Sequence, residues 1–163
     1  MIRAMELSDV PRVAEIHVFG WRNAYRGIVS DDHLFNKMLV SKRIDVFRNA
    51  ITNKLTEDYV LDDGIIKAML TIGSCRDEDK PCSFELWGIY VEPLMKRQGI
   101  GSSMVKYCDE KAIERGFGEV CLWVLEKNIN SRLFYKKLGY QTDGKEKHID
   151  FLAATEIRYS KPL

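Results

Sequence analysis

The sequence predicts an α+β fold, a three-layer α/β/α sandwich on a mixed, mostly antiparallel sheet, and three patterns carry that expectation. Two strand-like runs flank Asp62-Asp63-Gly64, a strong hairpin turn. The alternating run Ser83 to Val91 leads through a short basic, glycine-containing loop into a helical pattern and then another strand, which makes one strand-helix-strand unit. The chain closes on two further strand-like runs. Hairpins around a single right-handed parallel crossover give a mixed sheet with helices on its faces.

Residues 2 to 5 read as the first short strand. Ser8 or Asp9 then opens a helix, with Pro11 tolerated in its first turn. Trp21 to Ile28 reads as an aromatic and basic connector around Gly27. Asp31 to about Asn53 is helical in pattern, as two pieces broken near Val40-Ser41. Asp58 to Leu61 and Ile65 to Gly73 form the hairpin, and Arg76 to Pro81 is a charged loop tip. A helix over 101–115 places Met104, Val105, Cys108, Ala112 and Ile113 on its apolar side and stops at Gly116. Glu119 to Leu125 is a strand, and Asn130 to Leu138 is the last helix, with Asn130 as its cap and Gly139 as its stop. Tyr140 to Lys147 and Thr155 to Tyr159 are the closing strands.

The 163 residues, 45% hydrophobic, suit one domain over 1–163 with its own core. Twenty-five basic against 24 acidic residues leave a charge of +1, which gives no drive for nucleic-acid binding through bulk charge. Met1 to Glu6 contain no signal-peptide core, and no apolar run approaches a membrane span, so a cytoplasmic chain without a membrane partner is expected. Homodimer formation stays open. Cys75, Cys82, Cys108 and Cys121 show no Cys-x-x-Cys spacing and read as buried thiols. His17, His33 and His148 are scattered, and His17 shares a helical face with Val10, Val13, Ala14 and Trp21, as a core histidine does. No metal is expected.

Two constellations carry chemistry. In the first, Tyr90 and Val91 lead through Lys96-Arg97-Gln98-Gly99-Ile100-Gly101-Ser102 into a helix. Gly99 and Gly101 lack the Cβ atoms that would hold a ligand off the backbone, so loop and helix N–H groups can converge on a phosphate, with Lys96 and Arg97 adding positive charge. A Walker loop is excluded, because Ser102-Ser103 follows Gly101 without a lysine. A dinucleotide fingerprint is excluded because Met104 stands where its third glycine belongs. The second constellation is Asn128-Ile129-Asn130-Ser131-Arg132-Leu133-Phe134-Tyr135-Lys136-Lys137-Leu138-Gly139-Tyr140, one strand later.

Together, in that order, these segments resemble the acyl-CoA loop and the following motif of the GNAT superfamily of N-acyltransferases. Gly20-Trp21-Arg22-Asn23-Ala24-Tyr25-Arg26-Gly27-Ile28 also resembles a segment common in one bacterial branch of it. Lys96 departs from the family pattern, which prefers Arg or Gln there, and a lysine offers charge without a planar fork. The resemblance implies a GNAT-like fold whose central strand and the strand ending near Leu125 splay apart to admit the pantetheine arm of acetyl-CoA. It further implies that backbone N–H groups at Ile89, Tyr90 and Val91 hold pantetheine and the acyl carbonyl. In the same way, Asn128 bonds a pantetheine amide, small Ser131 lets the cofactor lie against the helix, and Tyr135 protonates the leaving thiolate.

Acyl transfer to an amine also needs a base, because an amine with a pKa of about 10 is protonated at neutral pH. If strand alternation is unbroken, Glu85, Trp87, Ile89 and Val91 share a face, and a carboxylate beside Trp87 is desolvated and raised in pKa. Glu85 is therefore the first choice, with Glu126 and a water chain as competitors. Trp21, Tyr25 and Arg26 are expected to wall the acceptor site. The expected activity is acetyl transfer from acetyl-CoA to a primary amine of a small molecule or protein, by direct attack in a ternary complex. The rival is a non-catalytic acyl-CoA-binding sensor or interaction module.

Overall fold

The structure is a computed structural model that describes residues 1–163. Its centre is a seven-stranded sheet in the order β1-β2-β3-β4-β5-β7-β6. The strands are β1 (Ile2–Ala4), β2 (Glu57–Asp62), β3 (Ile66–Ser74), β4 (Phe84–Val91), β5 (Glu119–Leu125), β6 (Gln141–Ile149) and β7 (Ala154–Pro162). Only β4 and β5 are parallel, as the single crossover requires, and the crossover helix is α3 (Ile100–Glu114). The other pairs are antiparallel.

Helices α1 (Val10–Tyr25) and α2 (Val40–Thr52) cover one face of the sheet. They bury Val10, Val13, Ile16 and Phe47 against Val60 and Met69. Helices α3 and α4 (Ile129–Lys137) cover the other, where Met104, Val105, Cys108, Leu70, Ile72 and Leu122 belong to a core of 17 buried residues. The period-2 strands and period-3.6 helices of the sequence thus meet as two apolar layers on one sheet.

Four local features differ from the sequence reading. Helix α1 does not stop before Trp21 but runs to Tyr25, ending where Gly27 takes φ +78°. Gly20 is tolerated inside it because α1 lies hard against β4, where an added Cβ would sit 2.8 Å from the Tyr90 ring. The helical run 31–53 breaks at Met38-Leu39, after a π-helical turn at His33–Lys37, just ahead of Val40-Ser41. The cap of α4 is Asn128, whose Oδ1 accepts from Ser131 N at 3.2 Å, so Asn130 lies inside the first turn. Of the cysteines, Cys108 and Cys121 are buried, whereas Cys82 is exposed and Cys75 half-buried.

The fifth difference moves a functional residue. Thr71 pairs with Gly88 and Ile72 with Leu86, so Trp87 is an extra residue in β4, a β-bulge. The bulge reverses the alternation. Phe84 and Leu86 face the α3 core together with Ile89 and Val91, and Tyr90 turns toward the α1 side. Glu85 therefore does not share a face with Ile89 and Val91.

Behind α3, fully buried Tyr140 donates its hydroxyl to Asp109 Oδ1 at 2.9 Å, and Lys161 reaches Oδ2 of the same carboxylate at 2.7 Å. Tyr140→Phe is expected to cost about 1.5 kcal/mol by removing one of two partners from a buried carboxylate, read as a fall in Tm of about 4 °C. An unchanged Tm would mean that Lys161 alone satisfies Asp109.

Candidate active site

The parallel pairing of β4 and β5 ends at Leu86 and Leu122, although both strands continue, to Val91 and Leu125. The strands splay as the family resemblance implied, leaving the facing edges without a strand partner and their backbone groups free for a ligand. A cavity of about 940 Å³ opens there, lined by residues 86–91, residues 123–125, the starts of α3 and α4, and the end of α1. It joins both faces of the sheet.

At one end stands the amino terminus of α3. Gly99, the residue before its first turn, takes φ +79°, a conformation that suits glycine. Gly101 lies in that turn, and a Cβ there would meet Phe134 Cζ at 3.2 Å, so this glycine lets α3 and α4 approach. The first N–H groups of the helix have no intrahelical acceptor and carry the positive end of its dipole, which makes an anion site. Lys96, Arg97, Gly99, Ile100, Gly101 and Ser102 line this end, and Gln98 does not. Burial pulls the Lys96 ammonium below its ordinary value, and the side chain donates to Asn23 Oδ1, tying the loop to α1.

Midway, Ile89, Tyr90 and Val91 on β4 face Asn128 and Ser131 on α4, all lining the cavity. Asn128 uses its Oδ1 as the helix cap. Tyr135 is 7% exposed and packs edge-on against Phe134 and Tyr140. Its hydroxyl is neither bonded within the chain nor sealed from solvent. Burial pushes this phenol well above its ordinary value, so it is protonated at neutral pH.

The other end is aromatic. Trp21, Tyr25, Trp87 and Trp123 line it, with Leu152 and Glu156. Trp21 and Tyr25 stand edge to face at 4.9 Å, and the Tyr25 and Tyr90 hydroxyls lie 3.5 Å apart. Burial pushes Tyr25 up, and the nearby Glu156 carboxylate adds to the shift. His17 sits beneath them against Trp21, Phe47 and Tyr90, its Nδ1 without a partner. Burial, then Arg43, holds it down to about 3, so it is a neutral core histidine. Arg26 does not join Trp21 and Tyr25 but lines a separate groove with Phe19, Arg22 and Phe35.

Glu85 is the main correction. It is 1% exposed and absent from the cavity wall. Arg76 encloses its carboxylate, giving N to Oε2 at 2.9 Å, Nε to Oε2 at 3.1 Å and Nη2 to Oε1 at 2.5 Å. The Arg76 guanidinium lies 4.4 Å from the centre of the Trp87 ring, so a cation separates that indole from the carboxylate. The β-bulge and this ion pair remove Glu85 from the role of base. Glu126 is exposed and also lies outside the cavity.

The one carboxylate on the cavity wall is Glu156 of β7. Sequence reasoning missed it, because it occupies an ordinary polar position in an alternating strand. Only the order β5-β7-β6 brings it beside Leu125 and Lys147.

The model of the acetyltransferase (GNAT) family matches residues 41–140. The uncharacterized N-acetyltransferase YuaI of Bacillus subtilis (strain 168) is 28% identical over 137 residues, covering 83% of this chain and 76% of that protein. Among solved structures, the PaiA N-acetyltransferase of Thermoplasma acidophilum, in complex with coenzyme A, superposes with a TM-score of 0.75 at 18% identity. That superposition covers 100% of this chain and 98% of the other. The yncA protein of Salmonella typhimurium, with its cofactor acetyl-CoA, gives 0.69 at 15% identity, covering 100% and 93%. These structures share the fold of this chain, and the family model spans more than half of the sequence, from α2 to three residues past α4. The chain therefore belongs to the acetyltransferase (GNAT) family.

Proposed function

We propose that this protein moves the acetyl group of acetyl-CoA to a primary amine of a small molecule or protein, by direct attack in a ternary complex. The observation that carries the reading is one continuous cavity running from the bare N–H groups at Gly99 to Ser102, past the unpaired edge of β4, to the partnerless Tyr135 hydroxyl. That order matches the parts of an acyl-CoA: diphosphate, pantetheine, then thioester sulfur. The residues fit the group, since Gly99, Ile100, Gly101 and Ser102 at the start of α3 line the cavity with backbone N–H groups that have no intrahelical acceptor.

The helix terminus binds the diphosphate, with Lys96 and Arg97 as flanking charge. Backbone N–H groups of Ile89, Tyr90 and Val91 orient pantetheine and the acyl carbonyl, and Asn128 and Ser131 complete the far wall. Tyr135 donates its proton to the departing thiolate, which is easier to expel as a thiol than as an anion. Trp21 and Tyr25 bound the acceptor. No helix is long and apolar enough to cross a membrane.

Acetyl-CoA at a hundredfold excess over its Kd is expected to stabilise the wild type by about 2.7 kcal/mol, with Tm rising further as ligand is added. Gly99→Asp and Gly101→Asp put a carboxylate at the helix terminus and should abolish that rise. An undiminished rise in both folded variants would remove the loop from the site. Amine-dependent release of free thiol separates the enzyme from a domain that only binds acyl-CoA.

A further inference from the structure

A cation stands beside the acceptor end of the cavity, in contact with two residues of its wall. Lys147 of β6 holds its Nζ 4.1 Å from the centre of the Trp123 ring and 3.3 Å from Glu156 Oε2. Trp123 and Glu156 both line the cavity, and Lys147 itself does not. Strand register explains the cluster: Glu156 lies opposite Leu125 on one side and Lys147 on the other, while Trp123 lies opposite Arg158, two residues along β7. Arg158 is also near this indole, at 5.6 Å, but its guanidinium is held by Asp77, Asp79 and Asp143. Lys147 has no other carboxylate partner, and its side chain is 41% exposed, so it can swing out to solvent.

An indole face and a carboxylate form a general recognition site for an alkylammonium. Every other charged group on the cavity wall is a cation at the opposite, phosphate-binding end or on α4: Lys96, Arg97 and Lys137. The wall of the cavity therefore carries its one anion at the acceptor end and its cations elsewhere, as a cationic acceptor and an anionic thioester require.

We propose that Trp123 and Glu156 form the ammonium site for the acceptor, and that Lys147 is an internal stand-in displaced when a cationic alkylamine binds. The acceptor class is a lysine-like or alkyl-diamine primary amine without a carboxylate near the reacting end. The inference rests on the acetyl-transfer reading only for the identity of the amine as acceptor. Glu156 positions the ammonium, and Lys147 tunes access to it.

All three tryptophans, Trp21, Trp87 and Trp123, line this cavity, so intrinsic fluorescence of the full chain saturated with coenzyme A reports amine binding. Cadaverine, pentylamine and aminovalerate are matched in chain length and differ in charge. Cadaverine and pentylamine should bind on the order of tenfold more tightly than aminovalerate, which keeps the ammonium but adds a carboxylate that Glu156 repels. Glu156→Gln should erase that preference while the coenzyme A thermal shift persists. Lys147→Met, which vacates the site, should tighten cadaverine severalfold, a gain that a merely structural ion pair would not yield. If Glu156→Gln fails to fold, Lys147→Met decides alone. Equal affinity for cadaverine and aminovalerate in the wild type, or unaltered cadaverine affinity in Lys147→Met, would overturn the ammonium site. Charge-selective binding without thiol release would instead overturn the acetyl-transfer reading and leave the site standing.

Discussion

Tyr135→Phe is expected to lower kcat by roughly a hundred-fold while leaving the affinity for acetyl-CoA and the Tm unchanged. The three readouts separate because the hydroxyl has no hydrogen bond within the chain, so its removal deprives no protein group of a partner, and the ring keeps its packing on Phe134 and Tyr140. A core tyrosine would show the opposite pattern, with lost stability and normal turnover. The pH profile adds a check. Burial holds the phenol above its ordinary value of about 10, so its proton is present through the neutral range. No falling limb attributable to Tyr135 should appear in kcat below that pH. Wild-type turnover in the Phe variant would sink the acid assignment.

Arg158→Met is expected to have the largest effect on stability. This guanidinium, 4% exposed, is the hub that gathers Asp77, Asp79 and Asp143, with contacts of 3.0 Å to Asp77, 2.8 and 2.7 Å to Asp79 and 2.7 Å to Asp143. It folds the 75–83 loop over the open face of β5 and β7, where Asp77 also accepts from Trp123 Nε1 at 2.9 Å. Removing the cation leaves three carboxylates without their common partner, a loss of about 3 kcal/mol. Arg158 holds Asp79 below the ordinary carboxylate range, mainly through its hydrogen bond. A depressed carboxylate contributes stability that is complete above its unfolded pKa, about 4, and fades as pH falls through the lower folded value. The wild type should therefore lose stability toward acid more steeply than Arg158→Met, and the two Tm curves should converge at low pH. Parallel curves would mean that the cluster contributes little.

Most of the fold was legible in the sequence because its signals are local. Apolar spacing marked α3, Asp62-Asp63-Gly64 marked the β2–β3 hairpin, and Gly116 and Gly139 marked where chains turn back. The anion site was legible for the same reason. Gly99, Gly101 and the helix after them build it from one continuous segment, and Tyr135 follows Asn128 by a fixed spacing on one short helix.

What failed was whatever depended on a neighbour distant in sequence. Trp21 to Ile28 read as a connector, yet α1 packs closely on Tyr90 at Gly20 and continues to Tyr25, which carries Trp21 and Tyr25 to the cavity and sends Arg26 to another groove. Glu85 read as the base under unbroken alternation, and the extra residue at Trp87 turned it onto the other face, into the grip of Arg76. Nothing in its own strand distinguished Glu156.

The sequence by itself determined the element order, the glycine turn ahead of α3 and the place of Tyr135 after Asn128, because helix periodicity, glycine dihedrals and i-to-i+7 spacing act within a single segment of chain. Tertiary structure alone decided the carboxylate at the cavity. Strand register and a one-residue bulge choose which face a side chain takes, and those are set by pairing energies between segments as far apart as β3 and β4 or β5, β6 and β7.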